Sequence, residues 1–208
     1  MTFSQLTVRD PAPMLQHTLQ AWRASGAARD GQAVSTADPG LWVFGYASLI
    51  WRPEFAFTDR RPARVHGWHR ALHMYSRINR GTPECPGLVF ALLPGGSCQG
   101  MAFHIAHANV PQVLEQLWAR EMPTGVYDPR WLRCSTAQGT VKALAFTLSR
   151  NSPNYCGQLC DAQYEHIFKN AVGRYGSTLD YAQQTYDGLL REGIRDHALA
   201  QLLAKVVK

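Results

Sequence analysis

The chain has 208 residues, of which 46% are hydrophobic, and this is enough for one domain of ordinary size with its own core. Charged residues make up 17% of the chain, a fraction too low for an intrinsically disordered protein. No apolar run approaches the roughly 18 residues that a membrane-spanning helix needs. The first residues do not form a basic segment followed by an apolar one, so no secretory signal is expected.

The five cysteines are odd in number and include no Cys-x-x-Cys pair. A disulfide framework or a zinc site is therefore not expected, and a reducing, cytoplasmic location fits best. The interpretation of Cys156 and Cys160 as metal ligands is less favoured than their interpretation as small, partly buried thiols.

The formal net charge is +6, and many of the arginines lie between Arg60 and Arg80 together with three histidines. Such a cluster is typical of nucleic-acid-binding proteins, but it also fits a solvated sheet or a site for a small anionic substrate. The aromatic residues of this region do not form an RNA-binding signature. We therefore expect no nucleic-acid partner and no membrane partner.

The first forty residues differ from the rest of the chain. Pro11 to Trp22 has a helical apolar spacing, and the segment that follows, up to Gly40, is small and polar like a flexible connector. We predict an N-terminal helix and connector over residues 1–40 and a folded domain over residues 41–208. Residues 1–40 are expected to be dispensable for the chemistry.

Strand-like patterns dominate from residue 41 to residue 148, and helical patterns dominate the last fifty residues. Glycines and prolines between the strands, including Pro94, Gly95 and Gly96, are expected to form turns, and Ser149 to Leu159 a loop. The clearest helix runs from Asn109, a cap-like residue, to Glu121, and further helices are predicted at 161–175, 177–191 and 196–207. This order predicts an α+β fold, with a curved sheet or small barrel flanked by helices.

Glu121 interrupts the apolar stripe of the predicted helix at a position where the helical spacing calls for an apolar side chain. The helix must end there, because Pro123 and Gly125 follow. A carboxylate at a buried helix C-terminus is disfavoured in its ionised form, which moves its pKa toward the range of general acid–base catalysis. The alternative, a structural glutamate paired with Arg120 or Arg70, remains equally open from this pattern.

A second feature is the apolar strand that ends in Gly45, Tyr46, Ala47 and Ser48. Backbone N–H groups converge at such a turn and bind carboxylates or oxyanions. Ser48 lacks the Gly-x-Ser-x-Gly context of a serine hydrolase, no P-loop is present, and the histidines show no His-Glu-x-x-His pattern.

Six segments in this order resemble the ChaC branch of the γ-glutamylcyclotransferase superfamily, whose members cleave glutathione. They are FGYASLIWRP from Phe44, GWHRALH from Gly67, GTPECPG from Gly81, AREMPTGVYDPRWL from Ala119, KALAFTLSRNSPNYCG from Lys142 and GSTLDYAQQTYDGLL from Gly176. The resemblance covers about residues 41 to 203. One departure is Ala47, where the family usually has glycine.

The resemblance implies a small mixed β-barrel flanked by helices, with no metal and no organic cofactor. It implies that Glu121 is the catalytic acid–base residue and that the loop of Gly45, Tyr46, Ala47, Ser48, Leu49 and Ile50 binds the substrate. Tyr127 and Tyr155 are candidates to bind the glutamyl end, and Arg52 or the 77–80 segment to meet a substrate carboxylate.

The expected activity is conversion of glutathione to 5-oxoproline and cysteinyl-glycine by a monomer or weak dimer. Two alternatives stay open. One is a cyclotransferase for other γ-glutamyl amino acids or amines. The other is a non-catalytic γ-glutamyl-binding relative, which only Ala47 supports.

Overall fold

The computed structural model describes residues 8–27 and 39–206, and its centre is a closed five-stranded barrel. The strands are β1 (Leu41–Gly45), β2 (Asp59–Ser76), β3 (Gly87–Ile105), β4 (Asp128–Thr136) and β5 (Gly139–Thr147). Their order around the barrel is β1-β3-β2-β4-β5. The pairing of β1 with β5 is parallel and closes the barrel, whereas the other pairings are antiparallel. The predicted α+β barrel flanked by helices is thus confirmed.

The two long strands, β2 and β3, bend around the barrel with two register shifts in their pairing. One shift lies between His66 and Trp68, opposite the Pro94–Gly96 segment. The expected turn at Pro94 to Gly96 is therefore wrong, because β3 continues through it as one strand of 19 residues. Gly95 and Gly96, with φ of 103° and 70°, supply a bulge at which the strand bends.

Strand β4 was not anticipated from the sequence. It begins with Asp128 and Pro129, and most of its side chains are half-buried or exposed, so it lacks the clear alternation of a strand with one face in the core. Its nine residues pair along all of β5, whereas only Arg64 and Val65 of β2 pair with it on the other side. Tertiary pairing, and not local pattern, makes this segment a strand.

Six helices surround the barrel in the described parts of the chain. They are α1 (Ala12–Ala27), α2 (Ser48–Trp51), α3 (Val110–Glu121), α4 (Asp161–Asn170), α5 (Thr178–Arg191) and α6 (His197–Val206). Asn109 belongs to a short 3₁₀ turn and its side chain caps nothing, contrary to expectation. Helix α4 ends at Asn170, earlier than predicted, because the hairpin of β6 (Val172–Gly173) and β7 (Gly176–Ser177) follows. None of the helices in the described residues is long and apolar enough to cross a membrane.

Helix α5 holds the turn after β1 in place through α2. The Trp51 side chain packs against Gly188, where an added Cβ would come within 3.0 Å of the Trp51 Cβ. The indole Nε1 also donates a hydrogen bond to Thr185 Oγ1 at 3.2 Å. A side chain at position 188 would therefore crowd Trp51 and displace it slightly from α5.

Helix α1 is docked on the barrel domain, where it packs against α3. Leu19 and Trp22 are 6% exposed, and Trp118 of α3 donates a hydrogen bond from Nε1 to the Pro11 carbonyl at 3.1 Å. Arg9, just before α1, donates to the carbonyls of Gly125 and Tyr127. The predicted helix is confirmed. The expected connector falls largely on residues 28–38, which lie outside the described residues, and the dispensability of residues 1–40 stays a prediction.

We expect Trp22→Ala to lower the free energy of unfolding by about 3 kcal/mol, as for other buried aromatic side chains. The indole is buried, donates to the Gly40 carbonyl and packs 4.8 Å from the His107 ring. Urea unfolding followed by circular dichroism measures the change. Arg23→Ala, on the exposed side of α1, is the control and should stay within about 0.5 kcal/mol. Equal effects of the two variants would contradict the docking of α1.

Candidate active site

Glu121 is the last residue of α3, and the helix ends there as the sequence predicts. Met122 has left the helical conformation, with φ of −118° and ψ of 25°, and Gly125 has a φ of 60° that favours glycine. The five apolar residues of the stripe are buried against the barrel. Glu121 continues this stripe, and its side chain is only 16% exposed.

Burial raises the pKa of the Glu121 carboxyl above its ordinary value, because removal from water disfavours the charged form. The Arg120 guanidinium opposes this shift and lowers the pKa in part, since its Nε lies 3.1 Å from Glu121 Oε1. Glu121 is therefore a largely buried carboxylate with a raised pKa that is also paired with Arg120, and its catalytic role stays a prediction.

Arg120 joins Glu121 to the segment that follows α2. Besides its contact with Glu121, it donates from Nη2 to Ser48 Oγ at 3.1 Å and from Nη1 to the Arg52 carbonyl at 2.6 Å. The same Nη1 lies 2.9 Å from Glu54 Oε2. The planar guanidinium thereby fixes the carboxylate relative to the loop after β1.

The loop after β1 is compact and largely buried. Gly45 ends the strand and leaves room for Leu49, whose Cβ would lie 2.9 Å from a Cβ at position 45. Ala47 has a φ of −144°, so this position does not need glycine. The first hydrogen bond of the turn runs from the Ile50 N–H to the Ala47 carbonyl at 2.9 Å.

Three buried tyrosines, Tyr46, Tyr127 and Tyr181, lie within range of the Glu121 charge. Tyr46 donates its hydroxyl to the Phe146 carbonyl at 3.0 Å, and Tyr127 donates to the Phe90 carbonyl at 3.4 Å. The Tyr181 hydroxyl accepts a hydrogen bond from the Phe90 N–H at 3.4 Å. Burial raises the pKa of all three phenols, and the negative charge of Glu121 raises it further. All three hydroxyls therefore stay protonated and can donate hydrogen bonds.

The structure brings some of the predicted site residues close together and places others elsewhere. Glu121, Tyr46 and Tyr127 are brought together, along with Ser48 through Arg120. Tyr155 lies in the loop after β5, where it forms a bridge with Met74, and its ring lies 6.2 Å from that of His73. A role for Tyr155 stays a prediction.

Tyr181 was not identified from the sequence. It belongs to the apolar stripe of α5, whose buried residues include Ala182 and Leu189, so its spacing is that of an ordinary core residue. Only the packing of α5 against the barrel brings it near Glu121.

A surface cavity of about 320 Å³ lies at the other end of α3. Its lining residues are Glu54, Phe55, Ala56, Asn109, Gln112, Val113 and Gln116. It does not include Glu121 or the loop after β1, and the only part shared with the site is Glu54, which pairs with Arg120. The catalytic candidates therefore form a separate site.

Comparison with known proteins identifies the family. The family model described as ChaC-like protein matches residues 41–208, which is most of the chain. The chain therefore belongs to the ChaC-like family.

Its curated relatives carry related names. A glutathione-specific gamma-glutamylcyclotransferase of Escherichia coli is 34% identical over 81% of this chain and 73% of its own length. A human protein named glutathione-specific gamma-glutamylcyclotransferase 1 is 31% identical over 72% of this chain and 70% of its own. Gamma-glutamylcyclotransferase 2-3 of Arabidopsis thaliana is 30% identical over 80% of this chain and 88% of its own.

A solved structure shares the fold. The crystal structure of a gamma-glutamyl cyclotransferase specific to glutathione from yeast superposes with a TM-score of 0.74. It covers 81% of this chain and 96% of its own, at 23% sequence identity. At this identity the likeness shows the fold of the barrel and its helices.

We expect Ala47→Gly to lower the free energy of unfolding by about 0.4–1 kcal/mol, because glycine adds conformational freedom to the unfolded chain. The negative φ of Ala47 gives glycine no compensating relief of strain. Thermal or urea unfolding of the two proteins measures the difference. A more stable glycine variant would contradict this account of the loop.

We expect Arg120→Met to raise the pKa of Glu121 above its value in the unchanged protein, because the variant removes the positive charge beside the carboxylate. Carbon-13 NMR titration of the glutamate carboxyls measures the pKa, with Glu121 assigned by loss of its signal in Glu121→Gln. Arg60→Met is the control, since Arg60 pairs with Glu192 instead. An unchanged or lower pKa in Arg120→Met would show that the guanidinium does not stabilise the ionised form.

Proposed function

We propose that the protein is a γ-glutamylcyclotransferase that cleaves glutathione to 5-oxoproline and cysteinyl-glycine, with Glu121 as the acid–base residue. The observation that carries the proposal is the raised-pKa carboxylate of Glu121, which lies at the end of α3 and is joined to the strand-end loop through Arg120. Family membership and relatives with glutathione-specific names support the substrate. We further propose a cytoplasmic location, in keeping with five free cysteines.

The reaction needs no external nucleophile. The α-amine of the glutamyl residue attacks its own γ-amide carbon, a C–N bond closes a five-membered ring, and the old C–N bond to cysteine breaks. The two hydrogens that leave the attacking nitrogen are matched by two that reach the departing nitrogen, and no electrons or water are consumed. The enzyme therefore has to orient the substrate, move protons and stabilise an oxyanion.

Glu121 is proposed to accept a proton from the α-ammonium and then to donate it to the departing nitrogen. One carboxyl can perform both transfers in sequence if its pKa lies closer to the working pH than that of an exposed glutamate. Burial raises the pKa of Glu121 in this direction, while the Arg120 guanidinium lowers it in part and so favours the ionised form that acts as a base.

The loop from Gly45 to Ile50 is proposed to bind the glutamyl carboxylate or the oxyanion. The backbone N–H groups of Tyr46, Ala47, Ser48 and Leu49 precede Ile50, whose N–H makes the first hydrogen bond of the turn. Backbone donors held in a fixed turn can stabilise an oxyanion because they need no reorganisation during the reaction. The Tyr127 hydroxyl is proposed to turn its hydrogen from the Phe90 carbonyl to the glutamyl end when the substrate binds, and Tyr155 is proposed as a candidate at the edge of that end.

Incubation with reduced glutathione and detection of 5-oxoproline and cysteinyl-glycine tests the proposal directly. γ-Glutamyl-alanine and a γ-glutamylamine are the competing substrates, because the relative from Arabidopsis thaliana is named without reference to glutathione. Glutathione should be preferred, since binding of its cysteinyl-glycine part can align the reacting end. Equal kcat/KM for γ-glutamyl-alanine would favour the broader cyclotransferase, and no 5-oxoproline from any of them would refute the activity.

We expect Glu121→Gln to abolish turnover while the melting temperature at pH 7 stays the same or rises. The amide is nearly isosteric but cannot take the ammonium proton, and it removes a carboxylate whose ionised form is disfavoured by burial. Turnover assays and thermal unfolding measure the two effects. Glu115→Gln, on the exposed face of α3, is the control. Turnover within a few fold of the unchanged protein would remove Glu121 from the mechanism.

A further inference from the structure

Arg80 is a buried arginine whose backbone and side chain both form hydrogen bonds. The residue is 7% exposed, and it lies in the turn after β2. Its N–H donates to Ser76 Oγ at 3.0 Å, and its carbonyl accepts from Thr178 Oγ1 at 3.2 Å. The guanidinium Nη1 donates to the Tyr175 carbonyl. The side chain is thus fixed between this turn and the start of α5.

The charge of Arg80 has no carboxylate partner among the described residues, since none lies within 4.0 Å of it. The neighbouring Asp180 accepts a hydrogen bond from the Ser177 N–H as part of the cap of α5. Arg70 provides the contrast, because its side chain is only 6% exposed but forms an ion pair with Asp196. Burial lowers the pKa of the Arg80 guanidinium, and the more distant Asp180 carboxylate opposes this shift only in part. A buried arginine without a close ion-pair partner is costly unless further negative charge is supplied.

Part of the Arg80 guanidinium remains available for a ligand. Its Nε and Nη2 have no hydrogen-bond partner among the described residues, whereas Nη1 has one. Every side-chain nitrogen or oxygen that is shielded from solvent in the described residues does have a partner. Nε and Nη2 must therefore border open space, even though the residue as a whole is buried.

Tyr181 connects this open space to Glu121. The guanidinium carbon of Arg80 lies 4.9 Å from the centre of the Tyr181 ring. The charges of both Glu121 and Arg80 act on the same phenol, the first raising and the second lowering its pKa. Tyr181 is thus packed against Arg80 and also lies within range of the charge of Glu121.

The other arginines considered from the sequence are already engaged. Arg52 forms an ion pair with Glu54. Arg77 donates to Asn154 Oδ1 at 2.8 Å and stacks on the Tyr75 ring. Of the three, Arg80 alone combines burial, unused N–H groups and the absence of an ion-pair partner in the described part of the chain.

We infer that Arg80 binds the carboxylate at the C-terminal end of a γ-glutamyl peptide, while the glutamyl end reacts at Glu121. This inference rests on the proposed function and names the chemical class of its substrate: peptides whose departing part carries a carboxylate. Two residues in extended form span at most about 7 Å, which exceeds the 4.9 Å between the Arg80 guanidinium carbon and the centre of the Tyr181 ring. The pair of free N–H groups suits a carboxylate, which accepts two parallel hydrogen bonds.

The test compares glutathione with glutathione amide, in which the glycine carboxylate is replaced by a neutral amide. The unchanged protein should prefer glutathione by at least tenfold in kcat/KM. Arg80→Met should reduce this preference to less than threefold, because it lowers kcat/KM for glutathione and not for the amide. Arg80→Lys should retain part of the preference, because it keeps the charge without the paired geometry. Arg77→Met is the matched control and should leave the preference unchanged.

Each outcome decides the inference. Equal rates with the two substrates in the unchanged protein would overturn it without any variant, which keeps the test valid if Arg80→Met fails to fold. Loss of preference in Arg77→Met instead of Arg80→Met would also overturn it. If no 5-oxoproline forms, the proposed function fails separately. Equilibrium binding of glutathione by calorimetry then decides, and equal affinity for glutathione and its amide, or binding of neither, overturns the carboxylate site.

Discussion

The arrangement of the site depends on the hydrogen bonds and ion pairs of the Arg120 guanidinium. It contacts Glu121 at the end of α3, Ser48 at the start of α2 and Glu54 beyond it, so one planar group connects three segments. Glu54 has a φ of 56°, a left-handed conformation that costs a non-glycine residue about 1–2 kcal/mol. Its carboxylate pairs with both Arg52 and Arg120, and these contacts offset that strain. The Glu121 carboxylate and the loop after β1 keep a fixed relative position because both contact the Arg120 guanidinium.

The barrel supplies the fixed frame around this cation. The parallel pairing of Trp42 and Val43 with Ala143 and Leu144 closes the barrel, and β1 ends immediately afterwards at Gly45. The Tyr46 hydroxyl then crosses to the Phe146 carbonyl of β5. The loop is therefore anchored to strands on both of its sides. Rigid strands position such a site more accurately than mobile loops, which matters when a reaction depends on orientation.

The sequence predicts those parts of the site that depend on local pattern. Glu121 is identifiable because it replaces an apolar residue in a regular helical stripe, and the helix end follows from Pro123 and Gly125. Tyr181 and Arg80 carry no such signal, since each has the local pattern of a core or surface residue. They approach one another only because α5 packs over the turn after β2, about a hundred residues away in sequence. The same reason explains β4, whose pairing is set by distant strands.

The raised pKa of Glu121 also shows that this position is not optimised for stability. Because the folded pKa lies above the unfolded value, the carboxyl favours folding at pH values below the unfolded pKa, and this contribution is lost as the pH rises through the folded pKa. Above the folded pKa the ionised group therefore opposes folding, and Arg120 reduces that cost without removing it. A leucine at position 121 would complete the apolar stripe of α3 and avoid the cost altogether. A charged group retained where packing favours an apolar one is the signature of a functional constraint. Arg80 is a comparable case with the opposite sign, since its buried positive charge has no ion-pair partner within 4.0 Å among the described residues.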